Sequence, residues 1–590
     1  MSVRRQQKKD LSGCSLRIAP PKIILAAASA MAVATSFLFD LNRLPARAHD
    51  VLKRPVSTAG NYLAGRHAQK NWDFRQASRF LGKALEKGPD NTQLLRSTFF
   101  ARLAAGDISG TLPMARKITK RHSSAPVAKL LLFVDSVKRG DLDSADRLLA
   151  NFPDLGVSGI LKPLLMSWVS LGRLEGADPV QALSPLKNLS ELRVLYELHA
   201  ALLSDVAGRN SDAERHYKLA VKNVRGSTLR IVQGYGHHLE RAGKTEQARL
   251  LYKSYIKENP DSVVLGPAMA RLSRSLRPAL LVSTPAEGIA EALFNVSGTI
   301  ARENSPQLAL IYGRLALYLR QDFDLARMLA AGILESMDRN EEAIAEYGGI
   351  SPKSPFFWSA RLRAAGNLEV LDRDDEAIEI LRALSLEDKT HPEPLVSLGD
   401  LFRSNKRFAE SVTAYDRAIA MLPEIDKRHW RVLYSRGISL ERSKQWERAE
   451  LDFKRALELK PDQPYVLNYL GYSWVDQGVN LEQAHKMIER AVKLRPNDGY
   501  IVDSLGWVLY RLRDFEGAVE KLERAVELRP NDPTINDHLG DAYWRVGRYN
   551  EARFQWQRAL TLKPEKDHIS AIEGKLLRGL KLPDSGEEDG

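Results

Sequence analysis

The chain is 590 residues long, 44% hydrophobic and 27% charged, with one cysteine and a formal net charge of +13. That length exceeds a single compact core, and the balance of apolar and charged residues excludes a disordered chain. Residues 1–48 hold eight Lys/Arg against two Asp, a net +6, so only +7 remains for the other 542 residues and nucleic-acid binding loses its main support.

Residues 1–22 are basic, Ile23–Phe39 is an apolar stretch of 17 residues, and Ala46-Arg47-Ala48 closes it with small-x-small spacing. This order describes a secretory signal peptide cut after Ala48. Seventeen apolar residues also meet the lower length for an uncleaved inner-membrane anchor. Both readings put the body outside the cytoplasm, in the periplasm or attached to its inner membrane, because the positive flank stays inside. Cys14 precedes the apolar stretch, so it is not placed for lipid attachment, and it has no second cysteine to pair with.

From Thr58 the chain reads as irregular helical repeats over 58–270. Gly65, Ala77, Leu81, Ala84 and Pro89 mark the first unit, and Gly106-Asp107 and Gly140-Asp141 read as turns between helices. The pattern returns at Ala213, Tyr217 and Ala220, then at Gly236, Ala248, Tyr252 and Pro260. Residues 271–288 do not fit the period and read as a seam between two solenoid segments. Phe294–Leu319 is strongly helical, and repeats continue over 289–391.

Over 392–566 five regular units follow. Gly399, Gly437, Gly471, Gly506 and Gly540 are 38, 34, 35 and 34 residues apart. Small residues come about twelve positions later (Ser411, Ala449, Ala484, Ala518, Ala552), then seven later again (Ala418, Ala456, Ala491, Ala525, Ala559). Each unit closes on a proline: Pro423, Pro461, Pro496, Pro530, Pro564. A helical glycine costs roughly 1 kcal/mol relative to alanine, so five in one column imply close approach of a paired helix. Proline ends each second helix and restricts the residue before it. Ile569, Ile572, Leu576 and Leu580 predict one more amphipathic helix over 567–582, covering the last open face. Residues 583–590 form an acidic tail that reads as disordered.

This pattern resembles the tetratricopeptide repeat (TPR), which implies an all-α fold: a right-handed superhelix of helix hairpins, here in two segments. By that resemblance, positions three before and one after each glycine face the concave groove. They are Val396 and Asp400, Tyr434 and Ile438, Asn468 and Tyr472, Asp503 and Trp507, Asp537 and Asp541, with Arg511 and Arg545 nearby. The partner-binding candidates are Tyr465, Asn468, Tyr472, Tyr500, Asp503, Trp507, Tyr510, Asp537, Asp541 and Trp544. Two readings are open for these aromatics: packing within the superhelix, or anchoring a partner. Trp474 and Trp556 fall in core columns, whereas Trp507 and Trp544 do not.

No catalytic pattern is found. Ala242-Gly243-Lys244-Thr245 lacks the upstream glycine of a phosphate loop, since His238 stands there, and no zinc-ligand or nucleophile motif occurs. No cofactor or metal is expected and no enzyme activity. His237-His238 and Asp537-His538 read as solvated or capping residues.

The stretches Asn468-Tyr-Leu-Gly-Tyr-Ser-Trp-Val-Asp476, Asp503-Ser-Leu-Gly-Trp507 and Asn536-Asp-His-Leu-Gly-Asp-Ala-Tyr-Trp544 resemble exported bacterial TPR adaptors. Among those is the lipoprotein partner of a carboxyl-terminal processing protease. The resemblance implies a non-catalytic envelope adaptor that holds such a protease or its substrates. The alternatives are an inner-membrane-anchored assembly scaffold and, with no room left for a catalytic domain, a TPR-containing glycosyltransferase.

Overall fold

The computed structural model describes residues 57–122, 125–173, 178–223, 228–260 and 262–580. The expectations for the leader (1–48) and the tail (583–590) lie outside the described residues. Among the described residues are thirty α-helices and no strand, so the fold is the all-α solenoid that the repeats predict. No described helix is long and apolar enough to cross a membrane. The chain divides into two compact units between Ile380 and Leu381. Residues 271–288 lie inside the first.

The first unit begins with the hairpin Thr58–Lys70 and Phe74–Lys87. A Cβ on Gly65 would stand 2.7 Å from Leu81 Cγ, so the glycine is what lets the pair close. Gly106 and Gly140 take left-handed φ of +90° and +78°, and the aspartate after each caps the next helix by accepting from the N–H three residues on.

Residues 285–319 break this order. The helices Pro285–Arg302 and Pro306–Leu319 pack against each other and then against helices far earlier in the chain. The first lies on Gly156–Arg173 and Arg193–Val206, the second on Thr92–Ala105 and Pro126–Lys138. Arg314 Nε donates to the Ala104 carbonyl at 2.8 Å, and Tyr318 donates to Asp135 at 3.2 Å. Arg230 and Glu291, both nearly inaccessible, pair through two hydrogen bonds of 2.8 and 2.5 Å. The chain thus packs back onto its own earlier helices, which is why Leu308–Tyr312 is apolar without a clean helical period.

The second unit contains eleven labelled helices. They are α1 (Glu393–Ser404), α2 (Phe408–Ala420), α3 (Trp430–Arg442), α4 (Trp446–Leu459), α5 (Pro464–Asp476), α6 (Leu481–Leu494), α7 (Gly499–Arg511), α8 (Phe515–Leu528), α9 (Pro533–Arg545), α10 (Tyr549–Thr561) and α11 (Lys566–Arg578). From α1 to α10 each odd helix packs on the even helix after it, and α11 packs on α10. A Cβ on Gly399, Gly437, Gly471, Gly506 or Gly540 would fall 2.5–2.8 Å from Tyr415, Phe453, Ile488, Leu522 or Trp556 respectively. These are the large residues of the paired helices. Ala418, Ala456, Ala491, Ala525 and Ala559 are buried. The turn inside each hairpin ends on a left-handed residue: Lys406, Lys444, Asn480, Arg513 and Gly547. Lys460, Arg495 and Arg529, each just before its proline, leave the helical region with ψ of 83°, 69° and 64°.

Candidate protein-binding groove

The period fixes which side chains face inward. α1 touches α3, α5 touches α7 and α7 touches α9, skipping the even helix between them. Odd helices therefore crowd on the inner wall, and the candidate residues come from α5, α7 and α9.

Tyr465 and Tyr500 sit at the starts of α5 and α7. The guanidiniums of Arg495 and Arg529 each stand 4.8 Å from the respective ring centroid. Tyr472 is half-buried, and burial, with Asp503 adding, pushes its hydroxyl well above the usual tyrosine range. Asn468 Oδ1 is buried without a hydrogen-bond partner.

The middle of the wall is an aromatic stack. Trp507 lies between Tyr510 (ring centroids 4.9 Å, planes 5° apart) and His538 (4.1 Å, 16°). Tyr510 accepts from Arg545 Nε at 3.1 Å, and His538 Nδ1 is 2.9 Å from Asp503. Trp507 Nε1 has no hydrogen-bond partner. Burial alone would depress the His538 imidazole, but Asp503, with Asp537 and Asp541 behind it, outweighs that and raises it. His538 is thus buried and paired, not solvated. His238 likewise is 2% exposed and bonded to Asp205 at 2.9 Å. The sequence reading missed both because aspartate on the neighbouring repeat, not on the same helix, supplies the partner.

The far end is covered by α11. Lys575 Nζ lies 3.0 Å from both oxygens of Asp537 and 2.7 Å from Asp541, whose other oxygen accepts from Trp556 Nε1 at 2.8 Å. Burial, offset by Lys575 and reinforced by Asp537, pushes the Asp541 carboxyl up to about 6. Trp544 donates from Nε1 to the Leu580 carbonyl at 3.0 Å. Asp503 and Asp541 are buried and held by internal partners, while Tyr500 is 44% exposed and Trp507 and Trp544 are half-buried. Lys575 follows Gly574, 34 residues past Gly540, and so falls in the column of Trp507 and Asp541 beyond the last complete unit. Among the described residues no group of acids, histidines or cysteines is arranged to hold a metal.

A family profile described as Tetratricopeptide repeat matches residues 396–464, 477–533 and 504–568, and a second of the same description matches 238–262. The chain carries tetratricopeptide repeats. No curated protein matches it. Among solved structures, the APC/C hetero-tetramer Cut9–Hcn1 is similar at 15% identity over 91% of this chain and 98% of that one, with a TM-score of 0.37. A thermophilic TPR protein of Thermus thermophilus is 21% identical over 32% of this chain and 99% of its own, with a TM-score of 0.28. MamA AMB-1 is 21% identical over 28% and 96%, with a TM-score of 0.25. The repeat assignment rests on the profile and on the hairpin geometry, not on these three. The TPR fold points to protein–protein contact.

Proposed function

We propose that this protein is a non-catalytic TPR adaptor of the bacterial cell envelope that binds a protein partner along the inner wall of α5, α7 and α9. The observation that carries the reading is the Trp507 stack, a half-buried indole held against Tyr510 and His538. Rigid aromatics dominate protein interfaces, and Asp and Arg around them set register and specificity. The partner proposed on the resemblance of 468–544 is a carboxyl-terminal processing protease or one of its substrates. The leader, read as a cleaved signal, supports the periplasm as the location.

The full chain, used as bait in envelope extract, tests this. It should retain a protein that the Trp507→Ala chain retains far less. Identical recoveries from both would remove the reading. A membrane-anchored assembly scaffold is the second reading, favoured by the 17-residue length of Ile23–Phe39. N-terminal sequencing of the exported protein separates the two, because a start at His49 excludes the anchor.

A further inference from the structure

The positive charge of the body is gathered at its start. Residues 57–122 hold twelve Lys/Arg against four Asp/Glu, a net +8, which exceeds the +7 of everything after residue 48. The centre of this charge is the helix Phe74–Lys87. Along it Arg75, Arg79, Lys83 and Lys87 follow one another at four-residue steps, all exposed, with Glu86 the one acid of the helix. Asp73, just before it, is engaged elsewhere: it caps the helix through the Gln76 N–H and lies 3.3 Å from Arg339.

Among the described residues none of the four cations is in an ion pair. Like charges four apart on a helix repel, so the stripe costs stability that the fold does not return. Cations close by are answered: Lys117 and Arg121 both hold Asp90, at 3.3 and 2.7 Å. The even helices of the second unit also mix the two signs, as where Arg455 pairs with Glu458 on α4 at 2.5 Å.

Two observations say what covers the stripe. In the same hairpin Leu63 is 66% exposed and Trp72, in the turn, 36%. Cations accompanied by exposed leucine and tryptophan suit a lipid headgroup layer, whereas a nucleic acid would leave the apolar groups unused. The second observation is distance along the chain. Eighteen residues separate the apolar stretch Ile23–Phe39 from Thr58. Fully extended they span at most about 60 Å, so the hairpin is within reach of any bilayer that stretch enters.

We propose that Arg75, Arg79, Lys83 and Lys87 dock the first hairpin on an anionic bilayer surface, with lipid phosphates as their ligands. Each Lys or Arg near such a surface strengthens attachment about fivefold. In an anchored chain the stripe is a second attachment beside an apolar stretch of minimum length. In a cleaved chain it gives a reversible, salt-sensitive one. This surface is separate from the groove and does not depend on it.

The test binds the full chain to phosphatidylcholine vesicles with and without phosphatidylglycerol, then acetylates its lysines for mass spectrometry. The leader is the same in every sample, so a difference at one lysine reports that lysine's surroundings. Lys83 and Lys87 should react at least about fivefold more slowly on the anionic vesicles than on the neutral ones. Lys427, exposed in the second unit, should react equally on both. Arg75→Glu with Arg79→Glu should abolish the protection, and so should high salt, which shortens the reach of the surface charge. Should that double variant lose helical circular dichroism, Arg75→Gln with Arg79→Gln removes the charge without reversing it. Equal reaction of Lys83 and Lys87 on the two kinds of vesicle overturns the proposal, as does protection that survives the double variant. Equal slowing at Lys427 would mark general adhesion and overturns it as well. Protection by a DNA duplex and not by vesicles would assign the stripe to nucleic acid instead.

Discussion

Trp507 lies flat on His538, with ring centroids 4.1 Å apart and planes 16° from parallel. Asp503, on the preceding inner helix, holds the imidazole by its Nδ1 at 2.9 Å. One ring therefore joins two repeats and also backs the indole. A side chain fixed this way has little rotamer entropy left to lose when a partner covers it.

The pair makes the second unit sensitive to pH. His538 has a folded pKa raised above its unfolded value of about 6.5. Its stabilisation is full below that value and is lost as pH rises through the folded one. The urea midpoint of this unit should therefore fall as pH is raised upward from about 6.5. Asp503→Asn should flatten that dependence and cost about 1–3 kcal/mol at the acid end. An unchanged slope in Asp503→Asn would mean that other groups set it.

Glycines in this chain should answer to substitution in opposite directions. A Cβ on Gly506 would lie 2.5 Å from Leu522 Cγ and 3.3 Å from the Ala518 carbonyl, so Gly506→Leu should cost at least about 1–3 kcal/mol. Gly366, within the helix Phe357–Val370, has nothing within 4 Å of that position. Gly366→Ala should stabilise by about 0.5–1 kcal/mol through helix propensity. Thermal unfolding of the two variants checks both signs.

Lys444 turns α3 into α4 with φ of +59°. A β-branched side chain resists that conformation, so Lys444→Val should lower stability by about 1 kcal/mol. Lys444→Gly should be neutral or mildly stabilising. Denaturant midpoints compare the two.

In the first unit, Arg230→Met strands the Glu291 carboxylate, which is 0% exposed, and should cost about 3–5 kcal/mol. Arg230→Met with Glu291→Leu should recover most of that loss, because the buried charge is gone along with its partner. A double variant no more stable than the single would show that the pair's packing, not its charge, matters.

The five regular units were legible because each glycine column answers to one physical need, the approach of the helix behind it. Gly399 meets Tyr415 and Gly540 meets Trp556 in the same way. The covering of the first unit by 285–319 was not legible. Helices packed on several sides lose the one-faced periodicity that marks a surface helix, and their contacts lie some two hundred residues back in the chain. Trp507 and Trp544 stand apart in the sequence by their absence from core columns, and both are half-buried. The partners that fix them, His538 and Leu580, were not legible: one is supplied across repeats and the other comes from beyond the last repeat.

The most direct measurement is the affinity of the captured partner for the full chain by titration calorimetry, in wild type, Trp507→Ala and Phe554→Ala. Phe554 is 63% exposed on the even helix α10 and serves as the outer-surface counterpart. The account predicts binding weakened at least about tenfold by Trp507→Ala, the loss of a hot-spot aromatic, and unchanged by Phe554→Ala. Binding unchanged by Trp507→Ala and lost in Phe554→Ala would contradict it.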